Sequence, residues 1–136
     1  LTEYARHYAA IRAAGADVVA LSVDPEDRSE PLRKQLGIDF PILCDRDRRV
    51  VREWGLYNPD EMGGIGIPAV FVIGTDRRVL YRSIDNTGAR VSAAGVLRFL
   101  QGSPDVALLE RRPVRPGVGN FARAIVNAIR RGVRVR

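Results

Sequence analysis

Cysteine is almost missing from this chain: Cys44 is the only one in 136 residues. A single thiol excludes an internal disulfide and suits a reducing cytoplasm. No run approaches the ~18 consecutive apolar residues of a membrane-crossing helix. The opening Leu1-Thr2-Glu3-Tyr4-Ala5-Arg6 has no basic stretch ahead of an apolar core, so it does not read as a secretory signal. Lysine is represented once against 21 arginines, and histidine once, at His7. A lone histidine with no cysteine or histidine at ligand spacing reads as a surface or boundary residue, not a metal ligand. Acids are absent from Arg111 to Arg136, where eight arginines lie. Residues 1–110 hold 14 basic groups against 16 acids, so the net charge of +6 belongs to the tail. A mildly acidic body argues against specific nucleic-acid binding by the protein as a whole.

What is present is ordinary for one globular domain, with 46% hydrophobic and 28% charged residues. Tyr4, Tyr8 and Ile11 recur at helical spacing, which predicts a helix over residues 2–14 ended by Gly15. The near-continuous apolar run Asp17–Val23 predicts a strand buried on both faces. Asp24-Pro25-Glu26-Asp27 supplies a capping carboxylate and a first-turn proline for a second helix, with Pro31 in that first turn or moving the start to Ser29. Gly37 closes it. Phe40–Cys44 predicts a short extended segment, Asp45 a cap for a helix running through Val51 to Gly55, and residues 55–66 a glycine-containing loop. Ala69–Gly74 and Val79–Ile84 pair as a hairpin across Thr75–Arg78, and Val91–Leu100 forms a helix with Val96, Leu97 and Leu100 inward. Pro104, Pro113 and Pro116 interrupt the chain before an amphipathic helix from Asn120 to Arg131. The alternation predicts an α/β domain over residues 1–103, followed by a linker and basic tail over 104–136.

The sharpest local signal is Ile67-Pro68-Ala69-Val70-Phe71-Val72-Ile73. Proline has no N–H to donate, so Pro68 marks where the chain enters a strand instead of lying within a ladder. With VVALSVDP at Val18–Pro25, GIDFPILCD at Gly37–Asp45 and Trp54-Gly55-Leu56, the chain resembles the alkyl hydroperoxide reductase/thiol-specific antioxidant group, the peroxiredoxin-like branch of the thioredoxin fold. The resemblance covers roughly residues 1–100 and implies a mixed sheet flanked by helices. It also implies that the family's N-terminal strands and catalytic-cysteine loop precede the region that begins here, which would leave a sheet edge exposed. Pro68 matches a position that is a cis-proline facing the thiol in thioredoxin-like members, and Ile67 would offer backbone hydrogen bonds to substrate. Many peroxiredoxins have an arginine near that position, where Ile67, Pro68 and Ala69 stand here.

The function implied by the resemblance is thiol-dependent peroxide or disulfide reduction, with a thiol reductant as partner, a homodimer as one form, and no cofactor or metal. This chain is expected to lack that activity. Cys44 is the one available thiol nucleophile, ahead of a helix dipole and Arg46, Arg48 and Arg49, but it follows an apolar run with Asp45 and Asp47 equally near, so packing is the favoured reading. Asp45-Arg46-Asp47 and Asp24, Glu26 and Asp27 read as helix caps and solvated acids. Gly63-Gly64-Ile65-Gly66 enters a strand, whereas phosphate-binding glycines open a helix. The second reading is a non-catalytic interaction module whose basic tail contacts an anionic surface or a partner.

Overall fold

The computed structural model describes residues 1–61, 64–85, 89–102 and 111–113. The expected tail helix at 120–131 lies outside these residues. Among the described residues four helices and eight short strands follow in order: α1 (Thr2–Ala13), β1 (Ala20–Ser22), α2 (Glu26–Gln35), β2 (Ile42–Cys44), α3 (Arg49–Glu53), β3 (Tyr57–Asn58), β4 (Ile65–Gly66), β5 (Ala69–Ile73), β6 (Val79–Ile84), β7 (Ala89–Val91), α4 (Ala93–Leu100) and β8 (Arg111–Pro113). The α/β class follows the sequence reading.

The sheet, however, is in pieces. β1 pairs with β2 in parallel, β5 with β6 antiparallel, β3 with β4 and β7 with β8 antiparallel, and no ladder joins the β1–β2 pair to the β5–β6 pair among the described residues. The consequence is visible at β1, whose run was expected to be buried on both faces. Val19 and Leu21 are 59% and 43% exposed, because one ladder partner and one packed face cover only part of the strand. Here the sequence expectation is corrected.

Local chemistry explains most boundaries. α1 ends as Arg12 and Tyr8 both grip the Asp17 carboxylate at 2.7 Å, which ties its last turns to the approach of β1. Asp24 does not cap α2. Pro25 occupies the N-cap with no side-chain bond, while Asp24 turns back to Ser22, whose Oγ accepts its N–H at 3.1 Å. Pro31 lies inside the helix, beyond the expected first turn. Gly37, at φ +59, ends it as expected. The glycine loop contains the small β3–β4 ladder, with Tyr57 opposite Gly66. Val91 belongs to β7, and the next helix starts later, capped by Ser92 Oγ accepting Gly95 N–H at 3.1 Å. β8, beyond the expected end of the domain, pairs Pro113 with Ala89.

The core gathers Ile11, Ile38, Phe40, Val51, Leu56, Val91, Ala93 and Val96, all buried. Leu97 and Leu100 are only half-buried. α1 packs on α4, Tyr8 meets Phe40 edge-on at 5.5 Å, and Tyr81 meets Phe99 at 5.7 Å. Val70, Val72, Tyr81 and Ser83 thus form the helix-facing side of the hairpin, and Phe71, Ile73 and Val79 the other.

The hairpin turn places Arg77 at φ +66, with Gly74 N–H donating to Arg78 O at 2.8 Å. An L-residue in this left-handed region is strained by ~1–2 kcal/mol, which glycine avoids at an entropic cost of roughly half that. Arg77→Gly is expected to raise stability by about 0.5–1 kcal/mol, read as a higher urea midpoint at unchanged slope.

Candidate functional site

Pro68 sits one residue before β5, as its missing N–H requires. Its carbonyl accepts the Asp85 N–H at 2.7 Å, and Ile67 N–H donates to Leu56 O at 2.6 Å. Ile67 has therefore spent its one donor inside the fold and could offer a substrate only its carbonyl. The described residues contain no cis peptide bond, so Ile67–Pro68 is trans.

The residue that organises this corner is Asp85, which the sequence reading missed. It is 5% exposed. Its carboxylate accepts the Ser83 hydroxyl at 2.5 Å and the Val91 N–H at 3.0 Å. The Asp85 amide thus fastens the entry of β5, and its carboxylate ties the end of β6 to the strand leading to α4. A single acid after a strand reads as a turn residue, and only its burial distinguishes it. Tyr4 on α1 faces the same region. Burial pushes its phenol well above the ordinary range, with the charges of Glu3 and Asp85 adding to the effect, and its Oη is buried without a hydrogen-bond partner among the described residues. Arg90 on β7 acts on the start of α1: burial lowers the Leu1 ammonium from its ordinary value, and the Arg90 charge lowers it further.

Cys44 stands apart from that corner, at the end of β2 and half-buried. Among the described residues its thiol makes one weak bond, to the Ile42 carbonyl, Sγ to O 3.9 Å. A shallow groove beside it is lined by Glu26, Ser29, Glu30, Ile42 and Leu43. The helix dipole that could have activated the thiol is taken by its neighbour. Asp45 accepts Arg49 N–H at 3.0 Å and Val51 N–H at 2.9 Å, capping α3 across a turn in which Arg48 adopts φ +57. Burial alone would push the Asp45 carboxyl up, but the backbone donors of Val51, Val50 and Arg49 hold it below the usual value. His7 Nδ1 lies 2.9 Å from the Glu3 carbonyl. No group of His, Cys, Asp or Glu side chains that could hold a metal occurs among the described residues. None of the described helices is long and apolar enough to cross a membrane.

The fold is that of the peroxiredoxin class of thioredoxin-like proteins. Enterococcus faecalis AhpC superposes with a TM-score of 0.67 at 24% identity, over 79% of this chain and 65% of that one. Peroxidoxin BcpB of Mycobacterium tuberculosis gives 0.64 at 22% identity, over 74% and 66%. In sequence, residues 1–82 match the AhpC/TSA family, and the chain belongs to that family. A peroxiredoxin-assigned protein of Mycobacterium tuberculosis strain H37Rv is 34% identical over 71 residues, 49% of this chain and 45% of the relative. This chain therefore aligns with less than half of that relative's length.

Two outcomes follow. Asp85→Ala strands the Val91 N–H and Ser83 hydroxyl in a buried place, at about 1–3 kcal/mol for each unmet donor, so chemical denaturation should show a loss of at least that size. Asp85→Asn, which keeps an acceptor oxygen, should lose less. For Asp45 the folded carboxyl titrates below the unfolded one, so its contribution to stability is complete above about pH 4–5 and is lost as pH falls through the folded value. Asp45→Asn should flatten that acid limb of the stability profile.

Proposed function

We propose that the protein to which this sequence belongs is a thiol-dependent peroxidase, and that these 136 residues supply its scaffold and substrate-facing corner but not its nucleophile. The observation that carries this reading is the family match over residues 1–82, together with the Pro68 corner it contains. In such a reaction a cysteine thiolate attacks one peroxide oxygen and the O–O bond breaks. The sulfur leaves as a sulfenic acid and the other oxygen as water or an alcohol. A second thiol then condenses with the sulfenic acid, releasing water and forming a disulfide that a further thiol reduces.

The family resemblance implies an attacking thiol just ahead of α1. On this reading Pro68, Ile67 through its carbonyl, and Arg90, whose charge acts on the start of α1, would face that thiol. Arg90 would supply the positive charge that Ile67, Pro68 and Ala69 do not. Cys44 has no part in this reading. It lies at the end of β2, hydrogen-bonded weakly within its own strand, with the donors of the next helix already occupied by Asp45.

Peroxide consumption with dithiothreitol as reductant is the test, run on this chain, on Cys44→Ser and on the native gene product. The expected result is turnover by the native product alone, with this chain no faster than free cysteine and unaffected by Cys44→Ser. Turnover by this chain that disappears in Cys44→Ser would overturn the assignment of Cys44. A native product without peroxide or disulfide reductase activity would overturn the reading as a whole and favour the interaction module.

A further inference from the structure

The ribbon that delivers the chain to Pro68 is too short to hold itself. β3 and β4 share two residue pairs, Tyr57 with Gly66 and Asn58 with Ile65, and a two-stranded ladder of that length is marginal in water. The Ile67 N–H nevertheless reaches Leu56 O at 2.6 Å, one step beyond the ladder. The extra cohesion lies in the side chain of Tyr57. The guanidinium of Arg52, in the last turn of α3, stands over its ring at 4.7 Å from the centroid. The backbone of Gly64 presses on the same ring. Gly64 is buried at φ +98, and a Cβ there would collide with Tyr57 Oη and come within 3.0 Å of Cε2 and Cζ. A side chain at this position would have to push the ring aside, besides straining the backbone. Among the described residues Arg52 makes no ion pair, and the Tyr57 hydroxyl makes no hydrogen bond.

We propose that Tyr57 is a positioning residue for the Pro68 corner. Its ring, clasped between Arg52 and Gly64, keeps the ribbon closed. That holds the Ile67 N–H on Leu56 and leaves the Ile67 carbonyl as the backbone group that the corner can offer. Tyr57 follows Leu56 directly, and Gly64 stands three residues before Ile67, so the clasp grips both sides of the ribbon beside the bond it protects. The bland alternative is that Arg52 rests on Tyr57 as any two surface side chains do. Gly64 argues against it, because the identity of a buried residue on the returning side of the ribbon is set by the same ring. The consequence for substrate rests on the peroxidase reading; the hold on Ile67 does not.

Amide hydrogen exchange, followed by NMR on the full chain, measures that hold. Arg52→Gln and Tyr57→Leu should each speed exchange at Ile67 by about two- to fivefold, the effect of losing one exposed cation–π contact. Gly64→Ala should speed it by roughly tenfold. Tyr57→Phe and Arg52→Lys, which keep the ring and the charge, should leave Ile67 close to wild type. Val96→Ala, a core truncation in α4, lowers overall stability and should leave exchange at Ile67 unchanged. In the native gene product, Arg52→Gln and Tyr57→Leu should raise KM for hydrogen peroxide at unchanged kcat, while Arg52→Lys should match wild type. Unchanged Ile67 exchange in both Arg52→Gln and Tyr57→Leu would overturn the proposal. Equal acceleration in Val96→Ala would do the same, since Ile67 would then be protected by the whole fold and not by the clasp. So would an unchanged KM in variants whose Ile67 amide is freed. A native wild-type product that consumes no peroxide would instead overturn the peroxidase reading, with the clasp still decided by exchange at Ile67.

Discussion

A strand in a two-stranded ladder satisfies backbone donors and acceptors along one edge only, and every ladder described in this protein has two strands. That constraint governs the rest. It leaves β1 with apolar side chains in water, gives the short strands little cohesion of their own, and shifts the work of holding elements together to side chains. Asp17 does this between α1 and β1, Asp45 between β2 and α3, and Asp85 between β5, β6 and β7. Three carboxylates therefore join elements that no shared ladder connects, and Asp85 alone of the three links one ladder to another.

The buried carboxylate of Asp85 also explains why the Pro68 corner is well defined. Pro68 offers no donor, so its position depends on its carbonyl, and that carbonyl is held by the amide of the residue whose side chain fixes the next two elements. The geometry of the Pro68 corner and core stability are thereby coupled through one residue. Membership of the AhpC/TSA family accounts for the motifs and for the thioredoxin-like arrangement. The helix start next to the chain's single cysteine is already filled by Asp45.

Much of this was legible in the residues. Pro68 declared the entry of β5 because proline cannot take part in a ladder, and Asp45 declared a helix because a carboxylate before an apolar-periodic stretch is a cap. What escaped were features decided by tertiary surroundings. Asp85 looks like any acid in a turn until its burial is seen. The β3–β4 ladder is two residues long and hides in a glycine-rich loop. Asp24 and Asp45 are both acids ahead of a helix, yet only Asp45 caps, because Ser22 diverts the backbone of Asp24 into a local turn. Arg48 and Arg77 occupy left-handed positions where sequence reasoning looks for glycine or asparagine.

The proline inside α2 bears on motion more than on shape. Without an amide proton at Pro31, the carbonyl of Asp27 loses its partner one turn on, although α2 runs on as one helix to Gln35. The first turn, flanked by solvent-facing acids, can fray without carrying the remainder with it. The break is confined to the column of helical bonds within α2, because the spacing of β1 and β2 is set by their own parallel ladder.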